Sequence, residues 1–157
     1  MIYEIEDFIT ELDLYFKESL NPAITAKNTA KGDNLLTLFN VKSFFIQTLD
    51  ERVNNYPQFF MIQAGNPTLD DSVRGSIVET YPVAVLIGLS SNNLDEKNAA
   101  RIFRYNSIIK DLILKGFWKV SPRSFKVNSL DLMSLVELDA TRAVISTGLS
   151  LEVSFGF

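Results

Sequence analysis

Hydrophobic and polar positions alternate most regularly in the stretch TYPVAVLIGLSS, where Tyr81, Val83, Val85, Ile87 and Leu89 are interleaved with Pro82, Ala84, Leu86, Gly88 and Ser90. Period two with β-branched residues on one face predicts a strand. Its second face is small or apolar as well, so the strand is expected to be central and covered on both sides. After the polar break Ser90–Asp95 the period changes. Ala99, Ile102, Phe103, Asn106, Ile109, Leu112, Ile113 and Gly116 recur at spacings of three and four, the stripe of an amphipathic helix with Asn106 as its one polar interruption. Asn93 or Asp95 is the expected N-cap and Gly116 the expected end.

The N-terminal segment repeats the helical pattern, with Ile5, Phe8, Ile9, Leu12, Tyr15, Phe16 and Leu20 along one side. Asn21-Pro22 matches an N-cap followed by proline at the first helical position, which predicts a second helical piece ending at Gly32. Short strands are expected over residues 40–47 and 59–65, with Gly65-Asn66-Pro67 and Asp70-Asp71 marking a turn. Residues 74–80 are expected to pair back before the Tyr81 strand, Gly75 loosening them, or to form one long, bent strand with it. In the C-terminal part Leu130, Leu132, Ser134, Val136 and Leu138 share one face at period two. Asp139-Ala140-Thr141 reads as a turn, and SLEVSFGF as a half-buried antiparallel strand. Helices first, then strands broken by one helix, predict a single α+β domain over residues 1–157. Its mainly antiparallel sheet would have about four to five strands, with two or three helices packed on it.

Composition narrows the function. The 157 residues contain neither cysteine nor histidine, which removes disulfides, thiol nucleophiles and the commonest general base and metal ligand. A net charge of −4, with the 15 Lys and Arg scattered singly, argues against a phosphate-binding face. The acidic start predicts no secretory signal, and no apolar run reaches the about 20 residues of a membrane span.

The remaining chemical motifs are incomplete. Ser107 and Lys110 fit S-x-x-K, but the accompanying S-D-N and K-T-G motifs are missing from the chain. Asp50, Glu51 and Arg52 form a charged triplet without a histidine or a glycine-rich phosphate loop beside it. Asp70-Asp71 and Asp95-Glu96 lack the spaced oxygen ligands of a calcium loop. Arg101 and Arg104 lie one turn apart, as a solvated face or as partners for acidic neighbours. No catalytic residue, cofactor or metal is expected, and the reading is that the protein is not an enzyme.

Several phrases in their order, LDERV (Leu49–Val53), Tyr56-Pro57, Arg104-Tyr105 and the closing SLEVSFGF, resemble the tail-terminator (tail-completion) proteins of tailed bacteriophages. The likeness covers most of the chain. It implies a structural virion protein at the tail end near the neck, assembled in the host cytoplasm. Members form a ring, typically of six subunits, that caps the tail tube protein, stops tube growth and offers a docking surface for the head–tail connector. DNA would only pass through, and the acidic balance suits a channel that phosphate does not stick to. No membrane is involved. A terminal strand over residues 149–157 would be a ready edge for pairing between subunits. The expected subunit or partner contacts are Asp50, Glu51, Arg52, Tyr56, Arg101 and Arg104, with intrachain salt bridges as the alternative role for each. Two other readings stay open: another neck or head-completion protein, and a small-ligand-binding module of a bacterial cell.

Overall fold

The computed structural model describes residues 5–40, 44–46, 58–63, 66–75, 77–90, 96–117, 125–137 and 143–156. The first element, α1, runs Ile5–Lys31. Along it Phe8, Leu12, Phe16, Leu20 and Ile24 recur every fourth residue, and all five are fully buried. That spacing lays one apolar row along a helix face. Glu6 and Asp7 in the first turn and Lys31 in the last oppose the helix dipole.

The expected break at Asn21-Pro22 does not occur; Pro22 sits exposed inside a continuous helix. An interior proline costs about 3 kcal/mol. The buried row crosses it, however, and fully burying Leu20 and Ile24 on either side stabilises by about 1.5–3 kcal/mol each. The stop at Gly32 is as expected. Gly32 takes φ 69°, its N–H bonds Thr29 O at 3.1 Å, and Asp33 N–H bonds Asn28 O at 3.1 Å. These two bonds make a Schellman cap.

The chain is α+β. Three long strands, β4 (Val78–Ser90), β5 (Phe125–Glu137) and β6 (Ala143–Gly156), form its antiparallel heart in the order β4-β6-β5. On the other edge of β4 lie β2 (Gln58–Gln63) and, beyond its end, β3 (Thr68–Asp70); β1 (Phe44–Ile46) adds parallel to β2. Six strands are thus described where four to five were expected, two of them only three residues long. The central position of β4 follows its two apolar faces, and Val83–Leu89 are all buried.

Two expectations about the C-terminal strands need correction. Strand β6 is not an edge, because β4 pairs one side of it from Val144 to Gly156 and β5 the other from Ala143 to Val153. Nor does one face of β5 run from Leu130 onward. Leu130 pairs with Leu149 and Ser134 with Ser146, so a register shift between Asp131 and Ser134 moves the later residues to the other face.

The second helix, α2 (Glu96–Asp111), continues as a π turn over Leu112–Phe117. Its buried side is rotated from the expected stripe. Ile102, Tyr105, Asn106, Ile108, Ile109, Ile113 and Phe117 are buried, whereas Phe103 is 59% exposed. The helix packs against α1 as well as the sheet; Ile108 borders α1, and Tyr105 is drawn inward by the segment after Gly32, where it meets Thr37 and Phe39. Gly116 does not stop the helix. It lies in the π turn, where an added Cβ would collide with the Tyr15 hydroxyl and come within 3.1 Å of Tyr15 Cζ. That hydroxyl donates to the Leu112 carbonyl at 2.8 Å, so the glycine makes room for a bond between the helices.

Candidate functional site

Of the six expected contact residues, Asp50, Glu51, Arg52 and Tyr56 lie outside the described residues. Arg101 and Arg104 sit on α2, facing the irregular segment that follows Gly32. Arg104 Nη1 bonds both Asp33 carboxylate oxygens, at 2.8 and 2.9 Å, and Arg101 Nε donates to Leu35 O at 3.3 Å. The hydrogen bond from Arg104 holds the Asp33 carboxyl below its ordinary range.

The same segment is bound to α1 by two side-chain amides. Asn28 donates to Leu36 O (2.9 Å) and accepts from Leu36 N (3.1 Å), and Asn21 does the same with Phe39 (2.9 and 2.7 Å). Each amide thus satisfies a peptide that no strand or helix pairs. Asn21, expected as a helix cap, is committed here instead. The Tyr105 hydroxyl closes the strap, donating to Thr37 O and accepting from Thr37 N, both at 2.9 Å.

Burial pushes the Tyr105 hydroxyl up to about 12 from an ordinary 10.0. A raised pKa means that its contribution is fully present below pH 10 and lost as pH rises through about 12. At about 1.4 kcal/mol per unit the loss is on the order of 3 kcal/mol. Tyr105→Phe is expected to cost about 1 kcal/mol at neutral pH through the lost bonds. Urea midpoints followed from pH 8 to 12 should then show the wild type falling to or below the variant. Parallel curves would rule out this coupling.

Among the described residues, two buried polar groups lack full partnership. Asp13 bonds Lys17 through Oδ2 at 2.7 Å and leaves Oδ1 without a partner. Asn106 is 5% exposed, and neither its Oδ1 nor its Nδ2 has a partner. An unpaired buried amide costs about 1–3 kcal/mol. Asn106→Leu, similar in size, is therefore expected to raise unfolding free energy by about 1–2 kcal/mol in a urea titration. A loss of stability would mean that the amide is held by something else.

The S-x-x-K residues Ser107 and Lys110 are both half-buried on α2. Among the described residues no group of three acidic side chains is placed to hold a metal ion. Nor is any helix among them long and apolar enough to cross a membrane.

Two surface features went unnoticed in the sequence. The first is a groove of about 500 Å³ between α1 and α2, floored by Ala23, Ala26 and Ala30 against Ile108 and Leu112. Lys27, Lys115 and Asp111 stand around it, the last two 3.4 Å apart. Tyr15 also lines it, and burial raises its hydroxyl pKa. The second is a hairpin arm, β3 and the start of β4, joined by a turn in which Gly75 takes φ 81°. Every residue from Asn66 to Gly75 is exposed, including Leu69 (63%) and Val73 (67%). The alanines at spacings of three and four were the available signal for the groove. For the arm it was Leu69 and Val73 flanking two acids and a turn.

No protein-family model matches this chain. No curated protein matches it either.

Proposed function

We propose that the chain is a structural virion protein, a tail terminator whose copies form a ring on the end of a tail tube and leave a surface for the head connector. The observation that carries the reading is the arm. It holds two large aliphatic side chains, Leu69 and Val73, in solvent beside the start of β4, where another molecule would bury them. The long edge strand β5 offers a second route to association, since its outer side has no strand partner among the described residues. The resemblance supplies the kind of assembly. Arg101 and Arg104 are engaged within the chain, and the segment Asp50–Tyr56 is proposed as a secondary contact.

The test is light scattering at micromolar concentration with negative-stain imaging, alone and after mixing with headless tail tubes. Hollow rings, or density capping one tube end, are the expected result. A chain that stays monomeric and leaves tube ends bare would overturn the reading. Co-purification with filled heads lacking tails would favour a neck or head-completion role. The groove between the helices favours a second reading, a small-ligand module, since its volume lies in the usual range of about 300–1,000 Å³. That reading predicts a monomer or dimer retaining a small molecule.

A further inference from the structure

The arm and the groove are complementary to each other. On the arm, Asp70, Asp71 and Arg74 neighbour Leu69 and Val73 in sequence, and all five are exposed. At the groove, Lys27, Lys115 and Asp111 surround an apolar floor. The arm thus carries two acids and one base, and the groove two bases and one acid. The Asp70 carboxylate is fixed by the bond that its Oδ1 accepts from Ser72 N–H at 2.9 Å, which organises the arm before any partner arrives. The small alanine side chains let an aliphatic group approach the α1 backbone closely.

We infer that the arm of one copy docks in the helix groove of the next copy. Val73 and Leu69 lie on the alanine floor, Asp71 meets Lys27 and Lys115, and Arg74 meets Asp111. The inference rests on the ring reading and names the contact that such a ring would use. Arm and groove are different patches of one surface, so the contact is heterologous. It propagates head to tail and closes when the rotation per subunit divides a full turn. The charges set register and choice of partner, while the aliphatic residues provide the buried centre.

The absence of native cysteine makes the test clean. Chains carrying Val73→Cys are mixed with chains carrying Ala26→Cys and oxidised under the conditions in which the wild type assembles. Both positions are exposed, so both variants should fold, which circular dichroism checks. The expected product is the mixed 73–26 disulfide, well in excess of the 73–73 and 26–26 dimers. A chain carrying both cysteines should give a covalent ladder. Adding Asp71→Lys to the arm chain should lower the mixed yield about tenfold, and Lys27→Glu on the groove chain should restore it.

A mixed yield no greater than the statistical 1:2:1 ratio, or no mixed disulfide at any concentration, would overturn the inference. So would a monomer whose groove retains a small molecule. Rings that form without the mixed cross-link would remove the docking but keep the terminator reading. Cross-linked open chains that never cap tail tubes would keep the docking and remove the terminator.

Discussion

Replacing Gly148 with alanine is expected to destabilise the protein by about 3 kcal/mol, lowering Tm by on the order of 10 °C. Gly148 is buried on β6, opposite Leu86 of β4 and Asp131 of β5. A Cβ there would overlap the Val85 carbonyl oxygen and come within 2.8 Å of Val85 C and 2.9 Å of Leu86 Cα. All three atoms are backbone, so no rotamer change relieves the overlap; the two central strands must separate. The smaller entropy of the unfolded alanine chain offsets only about 0.4–1 kcal/mol. The site coincides with the irregularity of β5, whose register shifts on both sides of Asp131. Close backbone approach and bulged partner strands occur together where a sheet bends. Thermal melts check the prediction. A variant within 1 °C of the wild type would mean that the strands separate freely.

The second large effect is expected from Phe16→Ala, at about 3–5 kcal/mol. Phe16 is fully buried midway along the apolar row of α1. Its ring lies 4.6 Å from that of Phe59 on β2, and its neighbour Tyr15 bonds the π turn of α2. Removing it opens a cavity between α1 and the sheet, and the aromatic pair is lost too. Phe16→Leu keeps most of the volume and is expected to cost less than about 1.5 kcal/mol. Urea unfolding gives both numbers. Equal costs for the two variants would contradict the cavity argument.

The row Phe8, Leu12, Phe16 and Leu20 was legible because a helix must turn one side to the interior, and four-residue spacing records which side. The two apolar faces of the Tyr81–Leu89 strand announced a central position, since such a strand is stable only with cover above and below. Gly32 was legible as a stop, because a left-handed residue closes a helix at little cost. The α+β class followed from the order of these patterns.

Periodicity names the apolar side of an element but not the elements that will cover it. Hence α2 was read against a sheet alone, and Ile108, beside α1, and Tyr105, against the segment after Gly32, were missed. The continuity of α1 through Pro22 depended on burial either side outweighing a local penalty. The strap depended on Asn21 and Asn28 meeting peptides far along the chain, the π turn at Gly116 on a tyrosine a hundred residues away, and the inner place of β6 on which strands closed around it. Local preference is written residue by residue. These outcomes were settled by which distant groups could pack and pair, and that is a property of the folded molecule.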